Sequence, residues 1–154
     1  MAIYSYPNLK ELGKVQDQIR FLTLLDPILP KDHCALLMGS SDNSIKIVDY
    51  ANNAAIKFTG LKNFPSCCYL DRENKRFWVG VLDGSIASFA YNPDEKEHNE
   101  QFLMYESKLR KVMKICENGL TNILVIGDLM IIKDCEHNVY FYDILKEVLT
   151  SQRT

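Results

Sequence analysis

The sequence predicts an all-β fold made of repeated four-stranded antiparallel sheets, and two observations carry that prediction. A strand–turn–strand motif occupies residues 36–50, returns at 77–91, and recurs in a weaker form at 130–143. In each copy, short polar residues that suit a hairpin turn separate two apolar runs. Hairpins that repeat about every 40 residues are typical of sheets arranged radially around one axis.

Taken in order along the chain, the apolar runs and the turn residues between them predict the strands. The first two strands are weaker, and they are placed because Ile3-Tyr4-Ser5-Tyr6 aligns with Ile45-Lys46-Ile47-Val48 of the first full motif. The chain is therefore expected to begin inside a repeat. The predicted strands are 2–6, 10–15, 19–25, 34–39, 44–49, 54–58, 66–70, 76–81, 85–91, 101–106, 110–116, 122–133 (broken at Gly127-Asp128), 138–142 and 146–150.

Several of these runs are continuously apolar, such as Phe77 to Val79, Ile123 to Ile126 and Leu129 to Ile132. Continuous runs indicate strands that are covered on both faces, as in a sheet packed between two other sheets. The sequence predicts that the residues buried between sheets include Leu37, Val48, Trp78, Phe89, Ile131 and Phe141.

The segment 99–117 is open to two interpretations. A charged loop at 92–100 precedes it, and its apolar residues from Phe102 to Cys116 follow a helical spacing. The same residues also fit two strands, and strands are favoured because the repeat requires two of them here.

Composition sets the class of protein. The chain has 154 residues, 47% hydrophobic and 25% charged, with a formal net charge of −2, which is typical of a globular domain and disfavours general nucleic-acid binding. There is no long apolar run, so no transmembrane segment is expected. Five irregularly placed cysteines favour reduced thiols and therefore a cytoplasmic or nuclear protein.

The motif resembles the repeat of the WD-repeat β-propeller family. Val48-Asp49 and Tyr142-Asp143 match the Trp-Asp end of that repeat with the Trp replaced, and Asp42 and Asp83 match its turn aspartate. The Gly-His pair of the family is missing, so its buried hydrogen-bond network is not carried over. The resemblance implies propeller blades, protein partners and no catalytic role.

The cysteines and histidines suggest chemistry only weakly. Cys67-Cys68 could be a redox pair or half of a metal site, but neighbours on a strand point to opposite faces, so core packing is favoured. His33-Cys34 is interpreted as a loop histidine before a buried cysteine, not as a catalytic pair. No catalytic residue, metal ligand set or cofactor site is predicted.

One basic cluster remains as a candidate binding site: Lys108, Arg110, Lys111 and Lys114. These cations could bind an anion or an acidic partner, including the phosphate of a phosphoinositide or a phosphopeptide. Four charges in seven residues are also typical of a solvated surface.

These observations together predict one partial β-propeller over residues 1–154, with repeats near 3–15, 19–58, 66–106 and 110–150. That amounts to about three and a half blades, whereas a closed ring has roughly four to eight. We therefore expect an open arc, or part of a larger propeller, that acts as a non-catalytic scaffold for protein–protein interaction. A hetero-assembly that completes the ring is favoured over a homodimer, and the ligand-binding module is the alternative function.

Overall fold

Three antiparallel sheets of four strands each, and one two-stranded sheet, form the fold. The computed structural model describes residues 2–4, 11–14, 19–25, 35–49, 54–71, 73–74, 76–90 and 109–154. The two-stranded sheet joins β1 (Ala2–Tyr4) and β2 (Glu11–Lys14). No helix occurs in these ranges, in agreement with the predicted all-β class.

Each four-stranded sheet is called a blade below, and its strands pair in chain order. Blade 1 contains β3 (Ile19–Leu25), β4 (Ala35–Ser40), β5 (Ser44–Asp49) and β6 (Ala54–Phe58). Blade 2 contains β7 (Pro65–Asp71), β8 (Arg76–Val81), β9 (Ser85–Ala90) and β10 (Leu109–Lys114). Blade 3 contains β11 (Leu120–Ile126), β12 (Leu129–Asp134), β13 (Val139–Asp143) and β14 (Val148–Arg153).

The hairpin between the two middle strands is the same element in all three blades. Its turn has a positive φ at Asn43 (60°), Gly84 (81°) and His137 (69°). These residues hold the same place in the three copies of the sequence motif. The left-handed conformation suits glycine and asparagine, and histidine adopts it at some cost. The sequence repeat is therefore a repeat of backbone geometry.

Two apolar clusters hold the blades together. Ile45 and Ile47 of blade 1 pack with Phe77, Val79 and Phe89 of blade 2. On the other face of blade 2, Trp78 and Ile86 pack against blade 3, whose contributing residues are Leu120, Ile123, Val125, Met130, Ile132, Tyr140 and Tyr142. The alternation of side chains along β8 sends neighbours to different clusters, so blade 2 is covered on both faces.

Blades 2 and 3 approach closely at Gly80. A Cβ built there would lie 2.5 Å from the sulfur of Cys67 and 3.0 Å from Cβ of Leu120 in blade 3. Two hydrogen bonds cross the same junction, from the Ser66 hydroxyl to the Leu120 carbonyl and from the Tyr69 hydroxyl (3.1 Å) to the Val125 carbonyl. In the sequence motif, blade 3 has Lys133 at the position of Gly80.

The structure corrects the predicted boundary between the last two repeats. The predicted strand 110–116 was assigned to the last repeat, but β10 pairs with β9 and completes blade 2. The helical alternative is wrong for residues 109–114, whereas the predicted strand 101–106 lies outside the described residues. Gly127-Asp128 separates β11 from β12, and these strands form a hairpin instead of one broken strand.

The structure confirms the predicted burial of some core residues and contradicts that of others. Trp78 and Phe89 are buried between blades as predicted, and Val48 is half-buried. Ile131 and Phe141 are only half-buried, because strand alternation places Met130 and Tyr142 on the covered face of blade 3 and turns their neighbours away. The side chain of Leu37 lies outside what the structure describes.

Candidate interaction surfaces

The face of blade 3 that points away from blade 2 is an apolar surface. Along β11, Ile123 and Val125 are buried, whereas Leu124 and Ile126 are 46% and 60% exposed. The pairing register continues this surface across the sheet, because Leu124 lies opposite Ile131, which lies opposite Phe141. We call this surface the open face, and its residues are Leu124, Ile126, Leu129, Ile131, Val139 and Phe141.

The equivalent surfaces of the other two blades are covered. Val139 and Phe141 hold the motif positions of Ile45 and Ile47 in blade 1. Those two isoleucines are 0% and 2% exposed, because blade 2 covers them. The matching positions of blade 2, Ile86 and Ser88, are also buried. Positions that are buried in two copies of the repeat are therefore only half-buried in the third.

A second surface feature is a cleft of about 230 Å³ between blades 2 and 3. Strands of blade 2 form one wall, and β13 with the turn that follows it forms the other. Its lining combines charged groups with aromatic and apolar ones: Arg76, Trp78, Ser88, Lys111, Met113, Tyr142, Ile144 and Glu147.

Hydrogen bonds fix the indole wall of this cleft. The indole N–H of Trp78 donates to Oδ2 of the buried Asp71 at 3.3 Å, and the backbone and side-chain N–H groups of Asn74 donate to the same carboxylate. The guanidinium of Arg76 lies 5.3 Å from the centre of the Trp78 ring. Nε of Arg76 is buried and has no hydrogen-bond partner among the described residues.

An ion pair joins the two walls of the cleft. Nζ of Lys111 lies 2.5 Å from a carboxylate oxygen of Glu147. Burial raises the pKa of Tyr142, while the neighbouring Lys111 acts to lower it and Glu147 acts to raise it. The phenol is therefore neutral at physiological pH, and the charged groups that line the cleft are Arg76, Lys111 and Glu147, with the Asp71 carboxylate behind the indole.

The turn of blade 3 is organised by one fully buried carboxylate, that of Asp134. Its oxygens accept hydrogen bonds from the backbone of Glu136 and Asn138 (both 2.9 Å), from the amides of Asn118 and Asn138, and from the hydroxyl of Tyr140. Burial alone would raise the pKa of Asp134, but these hydrogen bonds outweigh it and hold the pKa below its usual range. The carboxylate stays ionised and holds the turn.

The predicted turn aspartates also act locally. Asp83 accepts a hydrogen bond from the backbone of Ser85 at 2.9 Å. Asp42 accepts from the hydroxyl of Ser44 and lies 2.7 Å from Nζ of Lys57, and these donors lower its pKa. Both residues shape hairpins, as their place in the motif predicts.

The predicted basic cluster is divided between two sides of β10. Lys111 lines the cleft, whereas Lys114 is exposed, lies 3.1 Å from a carboxylate oxygen of Glu117, and donates to the carbonyl of Asp83. Only the backbone of Arg110 is described, and Lys108 lies outside the described residues. The anion-binding role of this cluster stays a prediction.

The described cysteines are free thiols, and the adjacent pair diverges as predicted. Cys67 belongs to the cluster between blades 2 and 3, whereas Cys68 packs against the cluster between blades 1 and 2. Burial raises the pKa of Cys67 to about 11 and that of Cys68 to about 12. His33, Cys34 and His98 lie outside the described residues, within which no group of His, Cys, Asp and Glu could hold a metal ion.

Two of these features were not predicted from the sequence. Leu124 and Ile126 fall within a continuous apolar run, which indicated coverage on both faces. Arg76 carries no local signal, because its importance arises from its position beside Trp78 and across the cleft from Glu147 of blade 3. A comparison of motif positions, blade by blade, could have paired Val139 and Phe141 with Ile45 and Ile47, but it carries no signal about which of these positions a neighbouring blade covers.

Comparison with solved structures shows the fold. The chain is similar to the computationally designed Ika8 protein, with a TM-score of 0.63 at 13% identity over 99% of this chain and 42% of that one. It is similar to the WD40 β-propeller domain of Doa1, with a TM-score of 0.63 at 12% identity over 94% of this chain and 42% of that one. The chain thus spans less than half the length of either structure.

No protein-family model matches the sequence, and no curated protein sequence matches it either. Within the described ranges, no helix is both long enough and apolar enough to cross a membrane. The molecule is an all-β protein built from four-stranded β-propeller blades.

Proposed function

We propose that this chain is a non-catalytic interaction module whose open face binds a four-stranded sheet of another protein. One observation carries the proposal: Val139 and Phe141 of the open face are only half-buried, whereas the matching positions of the other two blades are buried, and exposed apolar side chains lie beside them on the same face. Leu124 and Ile126 stand in solvent at 46% and 60%. Contiguous apolar surface of this kind marks interaction sites on soluble proteins.

The nature of the partner follows from what covers the equivalent surfaces. Blade 2 covers Ile45 and Ile47, and blade 3 covers Trp78 and Ile86. In both cases the covering element is an antiparallel sheet that presents alternate apolar side chains. A surface with the same register and spacing fits the same kind of element, so the partner supplies a blade.

A second copy of this chain is a poorer match. The face of blade 3 that packs against a neighbouring blade contains Ile123, Val125 and Met130, and blade 2 already covers this face. The covering face of blade 2 is likewise occupied by blade 1. The remaining candidate among the described strands is the β1–β2 sheet, which has only two strands. A sheet that the described strands do not contain therefore satisfies the open face better than a second copy does, and we propose that a partner protein supplies it.

The titratable groups support a non-catalytic role. The two carboxylates with the most strongly lowered pKa, Asp42 and Asp134, are both held in hairpin turns by hydrogen bonds. Cys67 is buried and Cys68 is half-buried, and burial raises the pKa of both thiols, so both are neutral and are poor nucleophiles. The shifted groups stabilise the fold and do not converge on one cleft.

The proposal is tested first on the isolated chain. Light scattering should show concentration-dependent association above 17.7 kDa, together with binding of a hydrophobic dye. The double variant Leu124→Lys/Ile126→Lys should abolish both while the circular dichroism spectrum is kept. Leu145→Lys is the matched control, because Leu145 is 73% exposed outside the open face, and it should behave as the unmodified chain.

A photo-cross-linker placed at position 124 identifies the occupant. It should join a segment that is a β-strand in a different protein, and the same group at position 145 should not. A stable monomer without dye binding would show that the open face needs no partner. Cross-linking of position 124 to a second copy of this chain would replace the proposed partner by a homodimer.

A further inference from the structure

We infer that the cleft between blades 2 and 3 is a binding site for a carboxylate-bearing residue of an acidic peptide. This site is separate from the open face, because blade 3 lies between them. The inference rests on three properties of the cleft: an unsatisfied guanidinium donor, the balance of its charged groups, and its size.

Arg76 supplies the donor. Its Nε is buried without a hydrogen-bond partner among the described residues, and buried N–H groups normally have one. One acceptor within its own sheet is Asp71, which lies opposite Arg76 in the β7–β8 register. That carboxylate is already used by Asn74 and by the indole of Trp78. A carboxylate from outside would satisfy the planar fork of donors that a guanidinium presents.

The charge of the cleft selects a singly charged anion. Arg76 and Lys111 are cations, and Glu147 neutralises Lys111 at 2.5 Å. Arg76 stacks over Trp78 and has the buried Asp71 carboxylate as its cross-strand neighbour, so the two cations are balanced by two carboxylates. A ligand carboxylate adds one negative charge to this balanced set, whereas a phosphate dianion adds two beside Glu147.

The volume and the lining residues of the cleft suit a single amino-acid residue of a ligand and not a cofactor. Its volume of about 230 Å³ is below the range of about 300–1,000 Å³ that drug-sized ligands occupy. Trp78, Met113 and Ile144 offer apolar contact beside the charged end. A glutamate or aspartate next to an apolar residue, or a peptide C-terminus with an apolar side chain, fits both properties.

The test uses Trp78, the single tryptophan of the chain, as an internal fluorescent reporter of the cleft. A capped four-residue peptide with one glutamate beside one leucine is titrated at pH 8, and its glutamine counterpart serves as the matched ligand. The glutamate peptide should give a saturable change in Trp78 emission, and the glutamine peptide should bind at least tenfold more weakly. Inorganic phosphate, titrated in the same way, should also bind more weakly.

Variants locate the effect. Arg76→Gln should weaken binding of the glutamate peptide by about tenfold to a hundredfold, the usual value of a charged hydrogen bond. Arg76→Lys should keep the positive charge but lose the planar arrangement of donors that the guanidinium presents. Arg153→Gln is the control, because Arg153 also lies over an aromatic ring, that of Phe141, on the open face. Its affinity should be unchanged.

Three results would overturn the inference. Equal affinity for the glutamate and glutamine peptides would show that the carboxylate is not recognised. Tighter binding of phosphate would transfer the site to phosphorylated ligands. An equal loss in Arg76→Gln and Arg153→Gln would show a general charge effect and no defined site.

Discussion

Blade 2 and blade 3 contain the same motif with the same turn geometry, but their surroundings differ. Blade 2 is packed on both faces, so Phe77, Val79 and Ile86 are all fully buried. Blade 3 is packed on one face, and the opposite face carries half-buried Ile131 and Phe141 beside exposed Leu124. The difference shows that the motif defines the blade, whereas the burial of a motif position depends on whether a neighbouring blade is present.

The largest expected effect contrasts two phenylalanines on the inner hairpins of these blades. Phe89 is 0% exposed and makes an edge contact with Phe58 at 5.7 Å between ring centres, so Phe89→Ala should lower the free energy of unfolding by about 3–5 kcal/mol. Phe141→Ala, on the open face, should cost about 1–2 kcal/mol. Urea unfolding followed by circular dichroism measures both, and equal losses would contradict a solvent-facing Phe141.

The next effect contrasts the turns of the two blades at low pH. Because hydrogen bonds lower the pKa of Asp134 in the folded state, its stabilising contribution is present above its unfolded pKa of about 3.9 and is lost as the pH falls below that value. Asp134→Asn should therefore destabilise the protein at pH 7 and flatten the acid dependence of its stability.

The matched variant for this comparison is Asp83→Asn in the turn of blade 2. The Asp83 carboxylate accepts one described backbone hydrogen bond, so the loss in melting temperature should be smaller. Melting temperatures between pH 2 and pH 7 (by differential scanning calorimetry) decide the order. A larger loss for Asp83→Asn would show that the Asp134 network is not the stronger turn support.

The smallest effect concerns thiol chemistry and leaves stability unchanged. Burial raises the pKa of Cys67 to about 11, so at pH 8 its reaction with a thiol reagent should be much slower than that of the exposed Cys135. Mass analysis of timed labelling, with Cys135→Ser as the control, measures each site. Rapid labelling of Cys67 in the folded chain would show that the junction of blades 2 and 3 opens readily.

The repeat itself could be predicted from sequence because its turns are chemically specific. Asn43 and Gly84 tolerate the positive φ that the hairpin requires, and their spacing set the register of two blades correctly. The boundary near residue 110 was missed for a physical reason. A strand such as Leu109–Lys114 has the same local pattern whether it is the last strand of one blade or the first of the next.

The candidate sites were less accessible to prediction because they depend on contacts between distant segments. An apolar run such as Ile123 to Ile126 reads the same whether one or both faces are covered. Arg76 and Glu147 come together in the cleft from opposite sides of a blade junction, and no local spacing relates them. Sequence periodicity shows which side chains lie on each face of a strand, but it does not show which neighbouring element packs against that face.

The glycine at the junction of blades 2 and 3 has a consequence for how blades can be exchanged. Gly80 lets Leu120 of the next blade approach until no room remains for a Cβ. Blade 3 has Lys133 at that position, on the open face, with a long cationic side chain in place of a hydrogen. A duplicate of blade 3 could not be docked onto blade 3 in the same way, so the blades have an order that cannot be permuted. A neighbour that docked on the open face as blade 3 docks on blade 2 would need space for the Lys133 side chain, or a negative charge beside it, at the position that Leu120 holds in blade 3.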